Sequence, residues 1–223
     1  MITKLETRKL TTLAILAALS VVLVFLIHFP IFPQAPYLEY DPADIPILIA
    51  TFAFGPLAGI AVTAVAAVTQ GLTVSAQGGI YGIIMHIIST GTYVLVAGFL
   101  YRFKRSHAGA AISLVCGVLA SAVVMVAANL IITPIYTGAP VEFVKGLLLP
   151  VIIPFNLLKS GVNGALTMML YKSARLALDK SRLLPASAKP VAKPSQTSIA
   201  IMASAALAFV VLALVILRIR GAI

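Results

Sequence analysis

Cysteine is almost absent from this chain of 223 residues, because Cys116 is the only one and lies in an apolar run. A disulfide framework and a paired-cysteine metal or redox motif are therefore excluded. Charged residues are scarce too, at 10%, whereas 61% of the residues are hydrophobic and the mean hydropathy is +1.10. This balance excludes an ordinary soluble domain and predicts an all-α integral membrane protein.

Several motifs that mark enzymes and pumps are missing as well. The sequence contains no glycine-rich P-loop, no HExxH zinc motif and no evident serine–histidine–acid set. The later apolar segments contain no acidic residue, which disfavours a proton-coupled carrier of the carboxylate type. We therefore predict no catalytic residue, no metal site and no bound cofactor.

Proline, glycine and charge divide the apolar sequence into seven predicted helices. Six of them form a membrane domain at 1–178, covering roughly 10–28, 44–54, 57–72, 80–103, 108–133 and 146–176. A basic linker at 179–196 follows, and then an additional C-terminal transmembrane helix within 197–223. Pro134 is expected to end the fifth helix, and Pro150 and Pro154 to kink or unwind the sixth.

The positions of the charges predict how the chain crosses the membrane. The formal charge is +10, but the basic residues flank apolar runs, so they indicate orientation rather than nucleic-acid binding. Most of the basic residues are cytoplasmic if the N-terminus is cytoplasmic, as the positive-inside rule expects. Arg218 and Arg220 fit this orientation less well, because they would lie outside. The acids Glu39, Asp41 and Asp44 would then lie outside, and we interpret them as loop turns, helix caps and solvated charges.

A stripe of polar side chains interrupts the sixth predicted helix. Asn156, Lys159 and Asn163 follow at i, i+3 and i+7, which places them on one helix face. A charge near mid-membrane costs at least about 2.5–3.5 kcal/mol on insertion scales, so Lys159 is expected to face a cavity or a polar partner. His86, Thr90 and Tyr93 form a second stripe on the fourth helix, for which packing is the competing interpretation.

Three segments together resemble a known transporter family. They read PYLEYDPADIP at 36–46, FGPLAG at 54–59 and PFNLLK at 154–159. The chain is similar in these segments to the riboflavin-specific S component, of the RibU type, of energy-coupling factor (ECF) vitamin transporters. The resemblance covers roughly residues 10–176 and implies a six-helix S-component bundle, to which the predicted C-terminal helix is an addition.

The resemblance implies a substrate-binding subunit in the cell membrane that takes up riboflavin from outside. Its partners would be a transmembrane coupling subunit and two cytoplasmic ATPases, and it would not itself be an enzyme. Asn129, Asn156 and Lys159 match the family's ligand contacts. The whole candidate substrate-binding set is Asn129, Asn156, Lys159, Tyr37, Leu38, Tyr40, His86 and Asn163. Small residues of the first helix, Ala14, Ala17 and Ala18, would contact the coupling subunit.

Flavin chemistry fits these residue types. Asparagine side chains both donate and accept hydrogen bonds, as the imide edge of a flavin requires, and aromatic residues pack against its ring. Three alternatives remain open: an S component for another vitamin or a flavin phosphate, a membrane enzyme acting on lipid or isoprenoid substrates, and a structural membrane protein whose polar stripe only joins helices.

Overall fold

The computed structural model describes residues 4–180, so the predicted C-terminal helix and, apart from residues 179 and 180, the predicted linker lie outside the described residues. The elements, in chain order, are α1 Lys4–Leu26, β1 Phe29–Pro30, β2 Glu39–Tyr40, α2 Asp44–Phe54, α3 Pro56–Leu72, α4 Gly79–Phe103, α5 His107–Thr137, α6 Val141–Leu147 and α7 Ile153–Lys180. A 3-10 turn at Ala76–Gly78 precedes α4, and a π-helical turn at Leu148–Ile152 joins α6 to α7.

Four stretches in the described part of the chain are long and apolar enough to cross a membrane. They are Glu6–Leu26, Ala76–Phe103, His107–Thr137 and Val141–Tyr171. The helices α2 and α3 are also apolar but shorter, at 11 and 17 residues. At 1.5 Å per residue, α2 spans only about 16 Å, roughly half the hydrocarbon thickness.

The short helix α2 forms the centre of the bundle. Nine of its eleven residues, from Asp44 to Phe52, are buried. It packs against α1, α3, α4 and α7, and its apolar side chains lie in the main hydrophobic cluster with Tyr93, Tyr101 and Tyr171. The break between α2 and α3 follows from Gly55, whose φ of 98° suits glycine, and from Pro56 at the start of α3.

Small residues let the long helices approach one another around Tyr93 of α4. Tyr93 is fully buried and donates a hydrogen bond to the Ser160 carbonyl of α7. Gly117 of α5 and Gly164 of α7 leave no room for a side chain, because an added Cβ at either position would collide with Tyr93. The tyrosine thereby joins three helices through close backbone contacts.

The segment between α1 and α2, residues 27–43, covers one end of the bundle, here called the loop end. Its prolines prevent a helix, and β1 and β2 pair as a short antiparallel hairpin with Phe29 opposite Tyr40. Between them the chain turns inward and buries Phe32, Ala35 and Leu38 in a second cluster with α6, the π-turn and α7, formed by Val144, Val151, Ile152 and Phe155.

Three predicted helix boundaries were wrong: α1 begins at Lys4 rather than near residue 10, and two others lie later in the chain. Pro134 does not end α5, which continues to Thr137 and stops at Gly138 in the left-handed conformation. Membrane helices tolerate an internal proline, as α5 does here. The sixth predicted helix begins earlier than residue 146, since Val141–Leu147 already forms α6. The unwinding expected near Pro150 is confirmed as the π-turn.

Candidate functional site

A buried ion pair lies beneath the loop that covers this end of the bundle. The Lys159 ammonium of α7 donates to a carboxylate oxygen of Asp41 at 2.5 Å. The two side chains are only 16% and 10% exposed. The polar partner expected for Lys159 is thus an acid from the covering loop, which neutralises the charge where water does not reach it.

The surroundings of Asp41 keep its carboxyl group ionised. Burial by itself would raise the pKa of this group, because a desolvated carboxylate is disfavoured. The positive charge of Lys159, together with hydrogen bonds from Lys159 and from the Ala43 backbone N–H, outweighs burial and holds the pKa of Asp41 below the usual 3.8. Asp41 is therefore negatively charged at neutral pH.

Asn163 of α7 connects the covering loop to the start of α2. Its side-chain nitrogen donates to the Asp41 carbonyl at 2.8 Å and to the Asp44 carboxylate at 3.0 Å. Its side-chain oxygen accepts from the Tyr40 hydroxyl at 3.1 Å. Asn163 is fully buried, and these three bonds account for both of its donor hydrogens and one acceptor site.

Tyr40 and Asp44 complete this network. Burial, followed by the negative charges of Asp41 and Asp44, raises the pKa of Tyr40 to about 12, so its hydroxyl stays a donor. The other Asp44 carboxylate oxygen accepts from the Thr90 hydroxyl of α4 at 2.7 Å. The polar cluster, defined as Tyr40, Asp41, Asp44, Thr90, Lys159 and Asn163, therefore draws on the loop, α2, α4 and α7.

His86 lies one turn before Thr90 on α4 and faces the same cluster. It interacts electrostatically with Lys159, Asp41 and Asp44. Its Nε2 atom is buried and has no hydrogen-bond partner among the described residues. A buried polar atom without a partner is unusual in a native structure, so this nitrogen is a candidate contact for a ligand.

Asn156 and Asn129 are buried but bond mainly within their own helices. Asn156 donates to the Ile152 carbonyl in the π-turn at 2.8 Å. Asn129 donates to the Met125 carbonyl and accepts from the Thr133 hydroxyl. No hydrogen bond joins either residue to the polar cluster in the described part of the chain, so hydrogen bonds bring together Tyr40, Lys159 and Asn163 but not these two.

Tyr37 and Leu38 are part of the cover over this end. Leu38 is buried in the second hydrophobic cluster, and Tyr37 packs against its edge. The Tyr37 ring meets the Tyr136 ring of α5 edge-on, with centroids 6.0 Å apart. Burial, with the neighbouring Tyr136 as a lesser cause, raises the pKa of Tyr37. Both residues fix the loop to α5 and α7.

Asp41 and Asp44 belong to the polar cluster, and the sequence interpretation did not place them in the candidate site. They were expected as turns, caps and solvated charges, yet they are 7% and 2% exposed. Asp44 does not cap α2 either: it lies in the first turn, where its carboxylate bonds to α4 and α7 instead. A signal was available, because a lysine buried in a membrane requires a nearby carboxylate and this chain contains only six acids.

The small residues of α1 divide between surface and core. Ala14 and Ala18 are exposed, whereas Ala17 is 5% exposed and belongs to the main hydrophobic cluster. Only Ala14 and Ala18 are therefore available to a partner. A groove of about 330 Å³ lies at the start of α1, beside Glu6, Lys9, Leu10 and Leu13, at a distance from the polar cluster.

Comparison with known proteins assigns the family. A family model described as the substrate-specific component of ECF transporters matches residues 8–171, which is well over half of the chain. The chain belongs to the S components of ECF transporters. The resemblance noted in the sequence is confirmed, and this S component is a membrane protein with several apolar helices.

Two relatives are named for the solute that they transport. This S component is 30% identical over 154 residues to the riboflavin transporter FmnP of Bacillus subtilis, spanning 66% of this chain and 81% of that protein. It is 31% identical over 143 residues to the riboflavin transporter RibU of Staphylococcus aureus, spanning 61% and 75%. Both relatives are named as transporters.

The fold agrees with a solved member of the family. The S component of a bacterial ECF transporter aligns with a TM-score of 0.68 at 31% identity, covering 78% of this chain and 98% of the other. The polar cluster and its covering loop therefore belong to an S-component bundle.

Proposed function

We propose that this S component binds riboflavin at the loop end of its bundle and delivers it inward after docking to an ATP-driven coupling module. The supporting observation is a buried set of donors and acceptors around Lys159 in a chain about 30% identical to two riboflavin transporters. A riboflavin-sized ligand needs an apolar site with a few fixed polar groups, as this end supplies.

The side chains match the chemistry of the flavin ring. A flavin offers two carbonyl acceptors on either side of an imide N–H. The Lys159 ammonium supplies a donor, and the Asn156 and Asn129 side chains can both donate and accept. The rings of Tyr37 and Tyr40 supply apolar faces against which a planar ring packs.

Access to this site involves the covering loop. The Asp41 carboxylate accepts a hydrogen bond from the Lys159 ammonium, and the Tyr40 hydroxyl donates one to Asn163. A ligand that binds to Lys159 or Asn163 therefore displaces the loop. Lys159 then exchanges the Asp41 carboxylate for ligand oxygens. The loop in this proposal is the cover of an external entrance, with the N-terminus of the chain in the cytoplasm of a cell-membrane protein.

The energy for transport comes from partners in this proposal. The sequence carries no P-loop, so a transmembrane coupling subunit and two cytoplasmic ATPases perform the driven step. The exposed Ala14 and Ala18 on α1 offer a flat surface for close approach of a partner helix.

Flavin fluorescence tests the binding step. The purified chain is expected to quench riboflavin fluorescence at one equivalent, because the ring enters a dry site beside tyrosines. Lys159→Ala and Asn156→Ala should each weaken binding by roughly 1–3 kcal/mol, the cost of leaving buried ligand polar atoms unpaired.

Lys145→Ala is the matched control, since Lys145 is an exposed lysine of α6 in the apolar stretch Val141–Tyr171 that also contains Lys159. Its removal should leave affinity unchanged. The proposal is wrong if the wild-type chain leaves riboflavin fluorescence unquenched, or if both folded site variants bind as tightly as the wild type.

A further inference from the structure

The turn between α4 and α5 concentrates positive charge far from the covering loop. The helix α4 begins at the loop end and runs for 25 residues, about 37 Å, to the opposite end of the bundle. Arg102, Lys104 and Arg105 follow there within four residues, and all three are exposed. From residue 45 to residue 178 the sequence contains one acid, Glu142. Therefore α3, α4 and α5 supply no acid to neutralise the basic turn, defined as residues 102–107.

A fourth base approaches the basic turn from α7. Arg175 donates a hydrogen bond to the Tyr171 hydroxyl at 3.1 Å. The rings of Tyr171 and Tyr101 pack edge-on, with centroids 6.3 Å apart, and Arg105 and Arg175 both interact electrostatically with Tyr101. Two arginines from distant parts of the chain thus lie around one pair of buried tyrosines. This packing positions Arg175 and extends the positive surface from the basic turn to α7.

An exposed apolar face of α4 leads directly to the basic turn. Leu95, Phe99 and Phe103 follow at i, i+4 and i+8, so they lie on one side of the helix, and they are 36%, 47% and 87% exposed. Arg102 lies three residues after Phe99 and continues the same face. A phospholipid presents its groups in the matching order, because its acyl chains lie in the apolar layer and its phosphate lies where arginine and lysine side chains end.

The start of α5 adds a hydrogen-bond donor to the basic turn. His107 is the first residue of α5, and both of its ring nitrogens are buried without a hydrogen-bond partner among the described residues. Such unsatisfied nitrogens are unusual in a native structure. An imidazole always carries at least one N–H, for which a phosphate oxygen is a suitable acceptor. The positive end of the α5 dipole lies at the same turn and favours an anion there.

We propose that the basic turn binds the headgroup of an anionic phospholipid, whose acyl chains lie along Leu95, Phe99 and Phe103. A lipid fits better than a free phosphate, because the apolar face and the bases are continuous. The bound lipid fixes this end of the bundle at the membrane surface. The inference concerns the end opposite the covering loop, so it does not depend on which solute the polar cluster binds.

Native mass spectrometry of the full-length chain in detergent tests this inference. The probes are phosphatidylglycerol, which is anionic, and phosphatidylcholine, which is zwitterionic, and the apparent dissociation constant of each is measured by titration. Each base near an anionic lipid surface contributes roughly fivefold in affinity, so the wild type should bind phosphatidylglycerol roughly tenfold or more tightly than phosphatidylcholine. The triple variant Arg102→Gln, Lys104→Gln and Arg105→Gln should lose this preference.

The basic linker of the chain provides a control with the same change in net charge. The triple variant Arg182→Gln, Lys189→Gln and Lys193→Gln also removes three positive charges and should keep the preference for phosphatidylglycerol. Equal binding of the two lipids by the wild type would overturn the inference. Loss of the preference in the linker variant, with retention in the turn variant, would overturn it as well.

Two further probes identify the occupant. Glycerol phosphate has the headgroup phosphate without acyl chains and should bind far more weakly than phosphatidylglycerol; equal binding would show a phosphate site and overturn the lipid assignment. A polyglutamate peptide that binds more tightly than phosphatidylglycerol would indicate an acidic protein as the partner and overturn it too. Circular dichroism checks that the turn variant is folded, and its quenching of riboflavin fluorescence should match that of the wild type. Failure of the wild type to bind riboflavin would refute the proposed function and leave this inference intact.

Discussion

The Asp41–Lys159 pair permits a quantitative test of what holds the covering loop in place. Both side chains are less than one-fifth exposed, so the pair is screened far less than a surface ion pair. Removing one partner leaves a buried charge without compensation, which costs about 3–5 kcal/mol. Lys159→Met and Asp41→Asn should therefore each destabilise the protein by about 3 kcal/mol or more.

The double variant should be much less unstable than the sum of the two single variants. With both charges removed no buried ion remains, so the coupling energy should be about 2–4 kcal/mol. Equilibrium unfolding in mixed detergent and dodecyl sulfate micelles, followed by circular dichroism, measures the four members of the cycle.

The chain offers its own control for this cycle. Lys145 and Glu142 pair at 2.7 Å, but their side chains are 53% and 80% exposed. The cycle of Lys145→Met and Glu142→Gln should give a coupling energy below about 1 kcal/mol. Coupling below 0.5 kcal/mol at Asp41 and Lys159 as well would refute the argument that burial makes this pair strong.

Three further predictions concern pH, packing and assembly. The pKa of Asp41 is lower in the folded state than its usual 3.8, so the unfolded state binds more protons as the pH falls through that value. The difference in unfolding free energy between the wild type and Asp41→Asn should therefore stay constant from pH 7 to 5 and shrink only as the pH falls below about 3.8. Gly117→Ala places a Cβ 2.5 Å from the Tyr93 ring and should cost about 1–3 kcal/mol of unfolding free energy, whereas Gly146→Ala, with open space around it, should cost nothing. Ala14→Leu or Ala18→Leu should block uptake by the assembled complex and spare ligand binding, while Ile15→Leu, a volume-conserving change on exposed α1 surface, should affect neither. Normal uptake with both alanine variants would exclude this face of α1 as the docking surface.

The helices and the polar face of α7 could be predicted from local properties of the sequence. The length of the apolar runs, the break at Gly55-Pro56 and the i, i+3, i+7 spacing of polar residues each depend on residues close together in the chain. The boundary at Pro134 could not be found in this way, because the helix continues past the proline and ends only at Gly138. Proline in a membrane helix is tolerated more often than its local chemistry suggests.

The burial of Asp41 and Asp44 could not be predicted from local sequence patterns. Both lie in a proline-rich stretch that reads as an exposed loop, and only the fold brings them under α4 and α7. The need of Lys159 for a partner was predictable from its depth. Which acid pairs with Lys159 depends on how residues 27–43 turn back over the bundle. The path of this loop is set by Phe32, Ala35 and Leu38, which pack against residues 144–155.

The position of Asp44 at the start of the central helix constrains how the chain is assembled during synthesis. Its two partners, Thr90 and Asn163, lie 46 and 119 residues further along the chain. At translation rates of about 5–20 residues per second, the second partner emerges on the order of ten seconds after Asp44 itself. During that interval a charged Asp44 lacks both partners, so we expect it to remain hydrated and to hold α2 near the membrane surface. We therefore expect the central helix to be among the first synthesised and among the last to reach its final depth, and a chain truncated before Asn163 should fail to bury it.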